Sequence, residues 1–453
     1  MSYLLSPIVF ATLLEVLLLG LLFTYQPTWG LMTFIFSLPF ERIGSYPLNP
    51  VTDYPLIHPA QIVGLALIGA YFLRFITGQE RPRHIPAFYF LLLFLGTSII
   101  SAIRVNISPV WSILAWLFFI ITLFWVVAQL ATRERLSAIK WSMVAALGVV
   151  SLFGIYQFFG DLAGLSPALT GIRLTYSKAV LGFPRLQSTA LEPLYFADYL
   201  FLPIFTLLAL VIYKNQKKLL WGALGIGVIA FALTFSRGAA ASGIVGLIVL
   251  MICLKSKIGS WTKAHIKPVG ALAAVLLIVL AVIVVVSEHS TKNSRTGDTI
   301  LKNYFTTQVF KTATVTERAR DQRLALKIFR EHPIFGVGIG GFGSAYYGCR
   351  VGKCVYRPNI QALEVLAEGG IVGFTTFHLF LLMLIWYGWR ALKKTTGEQK
   401  AIIAGLLAAT VAMIVQSQTF SGFLCCLTYT WGTLGILGGL SATIPAETVK
   451  GDG

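Results

Sequence analysis

The chain has 453 residues, of which 56% are hydrophobic and only 12% are charged, and its mean hydropathy is +0.78. Soluble globular chains carry roughly 25% charged residues, so this composition excludes an ordinary soluble enzyme, a disordered chain and a secreted disulfide scaffold. Unbroken apolar runs such as 271–286 and 371–386 also argue against a membrane β-barrel, whose strands alternate apolar and polar residues. The composition therefore predicts an all-α polytopic membrane protein.

Apolar stretches long enough to cross a bilayer as helices recur along the whole chain. Their approximate positions are 57–77, 86–103, 110–130, 140–160, 191–213, 218–235, 238–254, 268–287, 364–389, 400–417 and 421–443. The segment 4–40 holds one or two more, because Pro27 and Gly30 divide it. We therefore predict 12 or 13 transmembrane helices.

The positions of these apolar stretches also predict a division of the chain into three regions. Transmembrane helices with short loops occupy 1–287, with one longer loop at 161–190, a large loop follows over 288–362, and C-terminal transmembrane helices occupy 363–453. The sequence predicts an amphipathic helix inside the large loop.

The net charge is +18, which in a soluble protein would suggest a nucleic-acid partner. Here most of the Lys and Arg residues of the short loops fall on alternate connections, which lie near 81–83, 133–140, 214–218, 255–267 and 393–400. The intervening short connections carry almost only Arg42 and Arg104. Because basic loops stay in the cytoplasm, the pattern puts the C-terminus inside and both long loops outside, and we expect no nucleic-acid partner.

The large loop is itself basic, with twelve Lys or Arg and five Asp or Glu, a net charge of about +7. Its amphipathic helix is predicted over 316–331 and ends before Pro333. Arg320, Arg323, Lys327 and Arg330 share one face at helical spacing, and Ala319, Leu326 and Phe329 are expected on another. The basic face suits a diphosphate, or equally an anionic bilayer surface.

Two further features follow in the loop. Residues 336–343 are glycine-rich but lack the strand and helix of a dinucleotide site, so we expect a tight turn in which backbone approaches backbone or ligand closely. Cys349 and Cys354 suit a disulfide outside the cell, with free thiols as the alternative, and no nearby His or Cys completes a metal site. Tyr346, Tyr347 and Tyr356 are candidate sugar contacts, or a small core of the loop itself.

Two arginines lie at predicted helix ends on the outer side, Arg185 and Arg237. A charge at that depth is costly unless an anion accompanies it, and a guanidinium binds phosphate bidentately. Their partner is therefore a bound anion or an acid from another helix. Each candidate carboxylate is a general base, a transport carboxylate or, by default, a structural partner of the arginines. The candidates are Glu15, Glu192, Asp198, Glu364 and Glu368.

Four segments in this order resemble the O-antigen ligase and polymerase superfamily of lipid-linked glycan transferases, over roughly 180–375. The segments are Arg185 with Ser188-Thr189 and Glu192-Pro193, then Phe235-Ser236-Arg237-Gly238, then Arg323 with His332-Pro333-Ile334-Phe335-Gly336, and last Arg357-Pro358-Asn359 with Glu364 and Glu368.

The resemblance implies a GT-C-like fold and a metal-independent, inverting glycosyl transfer at the outer face of a bacterial inner membrane, with no cofactor. The donor would be a glycan on undecaprenyl diphosphate and the acceptor a sugar hydroxyl on another lipid-linked glycan or on lipid A core, both met among membrane lipids. Arg185 and Arg237 would hold the diphosphate, with Arg320 and Arg323 as further candidates.

One position departs from the family pattern. The fourth segment usually reads Arg-Pro-His-Asn, with the His as proposed base, and Asn359 stands at the position of that His. An amide does not take up a proton at neutral pH. Another group is then the base, with Glu192 as our candidate, or the reaction needs none, or activity is lost.

The missing His favours a repeat-unit polymerase over a polysaccharide ligase. Two hypotheses from other functional classes, a transporter and an inactive scaffold, stay open at this point. A lipid-linked oligosaccharide flippase or small-solute transporter predicts an internal repeat and binding groups near mid-membrane, whereas these candidates cluster at the outer rim. An inactive assembly scaffold is compatible with Asn359.

Overall fold

The computed structural model describes residues 7–42, 46–47, 56–105, 108–177, 183–214, 218–257, 312–347, 358–420 and 427–442. Before residue 258 the helices are α1 (Pro7–Tyr25), α2 (Pro27–Ser37), α3 (Pro59–Ile76), α4 (Phe88–Val105), α5 (Ser108–Leu130), α6 (Leu136–Leu162), α7 (Pro167–Thr170), α8 (Pro193–Lys214), α9 (Lys218–Leu233) and α10 (Arg237–Cys253). After residue 311 they are α11 (Thr312–Glu331), α12 (Phe342–Tyr347), α13 (Gln361–Lys394), α14 (Gly397–Gln416) and α15 (Thr428–Ala442).

These bounds confirm the all-α polytopic class. Seven of the described helices are long and apolar enough to span a membrane, and three shorter apolar helices accompany them. The predicted total of 12 or 13 stays a prediction, because the expected span at 268–287 lies outside the described residues. One small element was not foreseen: β1 (Tyr46–Pro47) pairs antiparallel with β2 (Leu56–Ile57) in the connection between α2 and α3.

The N-terminal segment forms two helices, α1 and α2, and whether it crosses the membrane once or twice stays a prediction. The break falls at Gln26, because Pro27 occupies the first turn of α2, where its missing N–H costs nothing. The Arg74 guanidinium donates to the Thr24 carbonyl at 2.7 Å, and Arg135 Nε donates to Thr28 Oγ1 at 3.3 Å. The turn between α1 and α2 therefore lies beside the end of α3 and the start of α6.

Helices α14 and α15 form the centre of the bundle, where 14 of the 20 residues of α14 and 14 of the 15 residues of α15 are buried. Small residues let neighbouring backbones approach closely there. A Cβ on Gly405 would collide with the backbone of Thr206 in α8, and one on Gly439 would collide with the carbonyl of Ala128 in α5. Close helix packing therefore holds the centre together, and buried hydrogen bonds such as that from Tyr429 Oη to Asp198 Oδ2, at 3.0 Å, add to it.

The two ends of the bundle differ in their charged contacts. At one end, which we call the basic end, Lys140 Nζ lies 2.7 Å from Glu398 Oε1 and Arg74 Nε lies 3.4 Å from Glu80 Oε1. This is the end with the Lys- and Arg-rich connections. The opposite end, which carries Arg185, Arg237 and Asn359, we call the site end.

The glycine-rich segment after α11 is a tight turn in close contact with backbone, as predicted. The amides of Val337 and Gly338 donate to the carbonyls of Ala367 and Glu368 in α13, at 3.1 and 2.9 Å. A Cβ on Gly336 would collide with the Glu368 backbone, and Gly370 (φ 61°) breaks the regular helix at this contact. The glycines therefore dock the loop onto α13, backbone against backbone.

Helix α11 begins four residues earlier than predicted, and its buried face differs from the predicted one. Ala325 and Ile328 are buried and pack with Val337, Phe342 and Ala367. Leu326, which we expected on an apolar face, is 39% exposed. The prediction was wrong because the spacing gives only relative directions around the helix, whereas the contact with α13 decides which direction is covered.

Candidate functional site

Arg185 lies at the site end in the loop that precedes α8, and it is half-buried. Its Nε donates to the carbonyl of Thr234 at 3.1 Å, and its backbone amide donates to the Tyr176 carbonyl at 2.8 Å. The next residue continues this connection, since the Leu186 amide donates to the Leu233 carbonyl at 3.0 Å. The first family-like segment is thereby held against the second, which contains Arg237.

Glu192 caps the start of α8, because its carbonyl accepts the amides of Tyr195 and Phe196, both at 3.1 Å. Its carboxylate interacts electrostatically with two arginines, Arg173 and Arg185. Burial raises the pKa of Glu192 above its ordinary value, and the two guanidinium charges partly oppose that rise. The result is a half-buried carboxylate between two cations, which is a suitable environment for a proton acceptor.

Sequence reasoning missed Arg173. Its guanidinium lies over the Tyr176 ring at 5.9 Å, and its Nη1 donates at 3.1 Å to the carbonyl of Leu191, the residue before Glu192. Its backbone amide also donates to Gln187 Oε1 at 3.3 Å. The available signal was the place of Arg173 in the long loop 161–190, in which only Arg185 lies close to an apolar run.

A second missed element is the connection that follows α2, where Glu41 and Arg42 form a strap across the site end. The Arg42 amide donates to the Thr189 carbonyl at 2.9 Å, and the Arg42 guanidinium donates to the Gly171 carbonyl at 2.6 Å. Glu41, which is 6% exposed, accepts the Leu191 amide at 3.2 Å. The strap ties the Arg173 loop to the start of α8. Only its tertiary contacts reveal it, because Glu41 and Leu191 are 150 residues apart.

Two non-glycine residues in the family-like segments have left-handed backbones, Ser188 (φ 53°) and Phe235 (φ 49°). Ser188 is fully buried, its Oγ donates to the Val150 carbonyl at 2.6 Å, and its amide donates to Gln157 Oε1 at 2.8 Å. Helix α6 therefore holds this conformation in place. Strained backbone of this kind concentrates at functional sites, where surrounding contacts compensate for it.

Arg237 is the first residue of α10, and its side chain is exposed. The following residue approaches the end of α14 closely, since a Cβ on Gly238 would lie 2.9 Å from Thr419 Oγ1 and 3.2 Å from Gln416 Oε1. Ser242 Oγ reinforces this contact by donating to Gln416 Oε1 at 3.1 Å. A helix N-terminus adds a favourable field for an anion beside the guanidinium.

Asn359 is exposed and lies two residues before α13. The Gln361 amide donates to the carbonyl of Ser417 at 3.0 Å, so the start of α13 contacts the same end of α14 as Gly238 does. The Tyr195 ring of α8 also lies 5.4 Å from the Phe420 ring there. The residues that follow α14 therefore join the Glu192, Arg237 and Asn359 segments at the site end.

The two acidic candidates in α13 are buried and have bonds within the protein. Gly340 and Phe342 donate their amides to the two oxygens of Glu368, at 2.8 and 3.2 Å. Gln361 Nε2 donates to Glu364 Oε2 at 2.9 Å. Glu368 thus holds the glycine-rich turn on α13 through two backbone amides, whereas its default interpretation was a structural partner of an arginine.

The basic face of α11 is exposed, with Arg320, Arg323, Lys327 and Arg330 on it as predicted. Arg320 Nε lies 3.9 Å from Asp321 Oδ1, and Arg323 Nε donates to the Ala319 carbonyl at 3.3 Å. Both guanidinium groups thus have local contacts on α11, and diphosphate binding by them stays a prediction.

Several loop candidates lie outside what the structure describes. Tyr356 and the Cys349–Cys354 pair lie outside the described residues. Tyr346 and Tyr347 belong to α12, but their side chains are not among those described. Their sugar contacts and their disulfide therefore stay predictions.

Residues 222–378, about a third of the chain, match the sequence family described as O-antigen ligase. The matched range contains the Arg237, His332 and Asn359 segments, and it begins after the Arg185 segment. This match supports membership of the O-antigen ligase and polymerase superfamily. A comparison with curated proteins found no match.

Proposed function

Since this multi-pass chain resembles the O-antigen ligase and polymerase superfamily, we propose that it is a polymerase of lipid-linked repeat units for a surface polysaccharide. The donor is an oligosaccharide on undecaprenyl diphosphate, and the acceptor is a sugar hydroxyl on another lipid-linked glycan. The observation that carries the proposal is the junction of the Arg185, Arg237 and Asn359 segments at one end of the bundle, around the end of α14 and the Glu192 cap of α8.

The chemistry follows from these groups. The acceptor hydroxyl attacks the anomeric carbon, the bond to the diphosphate oxygen breaks, and the configuration inverts because attack and departure occur on opposite faces. Arg185 and Arg237 stabilise the negative charge that develops on the departing diphosphate, a contribution that oxyanion-type donors make in many enzymes. Glu192 receives the hydroxyl proton, in place of the His that Asn359 replaces.

A ligase is the second candidate, because the matched family is described as O-antigen ligase. It performs the same bond exchange with a different acceptor, lipid A core, so the residues above have the same roles in both reactions. The two candidates differ in the identity of the acceptor and therefore in the product that accumulates when the gene is deleted.

The test is a gel of surface and lipid-linked glycans from cells with the gene, without it, and without it but complemented by Arg237→Ala. A polymerase predicts single repeat units in place of a ladder after deletion, and no rescue by the variant. A ligase predicts full-length polymer retained on undecaprenyl diphosphate. An unchanged ladder would contradict both, and rescue by a normally expressed Arg237→Ala protein would favour an assembly scaffold.

A further inference from the structure

An apolar cavity of about 280 Å³ lies between α1, α3 and α5. Its walls include Val16 of α1, Ile62 and Leu65 of α3, and Trp116 and Phe119 of α5. The volume far exceeds the roughly 10–15 Å³ that a single water needs, and apolar cavities of this kind favour hydrocarbon over water. Its chemistry therefore matches a lipid tail.

The cavity borders the side of the bundle that faces lipid. Two of its wall residues, Leu13 and Leu65, are 58% and 44% exposed, and α1 carries further exposed leucines beyond them. Large apolar side chains that are exposed on a transmembrane helix meet hydrocarbon. A lipid tail can therefore enter sideways from the membrane.

The same cavity adjoins the charged site. Ile57 is part of its wall, and the next residue, His58, hydrogen-bonds through its side chain to the backbone of Glu41. The Glu41 carboxylate accepts the Leu191 amide, and Leu191 precedes Glu192. The path from Ile57 in the cavity wall to Glu192 thus runs through three residues, His58, Glu41 and Leu191, and two hydrogen bonds. Glu192 belongs to a group of charges that also includes Arg42, Arg173 and Arg185.

From this continuity we propose that the cavity binds a segment of the polyisoprenoid tail of the lipid diphosphate whose head the arginines hold. The inference rests on the proposed function, because it takes the substrate to be a lipid-linked diphosphate. The polyisoprenoid tail is a better occupant than a phospholipid acyl chain. One lipid diphosphate then fills the cavity with its tail and places its head beside the arginines of the group of charges. Val16, Ile62 and Phe119 would discriminate among donors by tail length.

The test uses the purified full-length protein and two donors that carry the same glycan diphosphate, one with a long polyprenyl tail and one with a tail of two isoprene units. Val16→Phe and Ile62→Phe fill the cavity from opposite walls. Leu17→Phe is the matched control, since Leu17 is 59% exposed on α1 and is not part of the wall. Filling is expected to raise KM for the long donor about tenfold and to leave the short donor and kcat unchanged.

Overpacking by itself destabilises a folded protein, so thermal unfolding in detergent identifies variants that are merely unstable. Equal losses on both donors, or no loss on either, would overturn the proposal. So would loss of a co-purified phospholipid from the filled variants without any change in long-donor KM.

Direct binding separates this inference from the proposed function. Long-chain polyprenyl diphosphate without glycan is titrated into wild type and both filled variants. If wild type turns over neither donor, the proposed function fails. Weaker binding to the filled variants would then still support the cavity, and equal binding to all three proteins would overturn it.

Discussion

Both ends of the bundle are rich in arginine, but the guanidinium groups have different partners. At the basic end, Arg83 donates to the carbonyls of Ala128 and Gln129 at 2.7 and 2.6 Å, so it caps the C-terminus of α5. At the site end, Arg173 and Arg185 flank the carboxylate of Glu192 in a loop with strained backbone. Arginine content alone therefore does not identify a functional site, whereas the groups that surround each guanidinium do.

The largest effect is expected from Arg185→Ala or Arg237→Ala at the site end. Each should lower the transfer rate about 10²–10³-fold, because each removes a cation from the developing diphosphate charge. The rate is measured with purified protein and a lipid-linked donor, and the melting temperature should stay near that of wild type. If either variant keeps full activity, the arginines of the site end do not differ in function from those of the basic end.

Glu192→Gln should lower the rate about 10²-fold and abolish the acid limb of the pH–rate profile. The sign follows from the raised pKa: a base must be deprotonated, so wild-type activity falls as pH drops through the pKa of Glu192. Arg173→Gln supplies the control. Loss of that positive charge raises the pKa further, so the acid limb should move to higher pH instead of vanishing. A wild-type profile without an acid limb would exclude Glu192 as the base.

Glu368→Gln should lower the free energy of unfolding and leave the rate of glycosyl transfer unchanged. The neutral amide keeps the size of the side chain but weakens two charge-assisted bonds to the Gly340 and Phe342 amides, at a cost of about 2 kcal/mol in unfolding free energy. Thermal unfolding in detergent measures it, and protein that remains folded should keep its kcat. A large loss of kcat in fully folded protein would instead assign Glu368 to the reaction.

The smallest effect is expected from Lys140→Met at the basic end. Lys140 and Glu398 form a partly exposed ion pair, and such pairs contribute about 1 kcal/mol or less. Unfolding free energy should fall by that amount, with transfer rate and pH profile unchanged. Any change in the pH profile would show that the two ends are coupled.

Much of the fold was predictable, because apolar runs of bilayer length force helices wherever backbone groups lack water. The predicted spans near 57–77 and 191–213 agree with α3 and α8 to within two residues at each end. The site was predictable only in part. Arg185, Glu192 and Arg237 stand out as charges at the ends of apolar runs, whereas Arg173 carries no such local signal. Glu41 also follows an apolar segment, 4–40, but only its tertiary contact with Leu191 ties it to the site.

The sequence by itself determined the membrane class, the helix positions, the alternation of basic loops and the resemblance carried by four short motifs. These depend on composition and on spacing along one chain, which are local quantities. Tertiary structure decided which face of α11 is buried, that the glycines of 336–343 dock onto α13, and that Arg173 lies beside Glu192. Each of these depends on contacts between residues distant in the chain, and spacing along one helix does not specify which neighbour covers it.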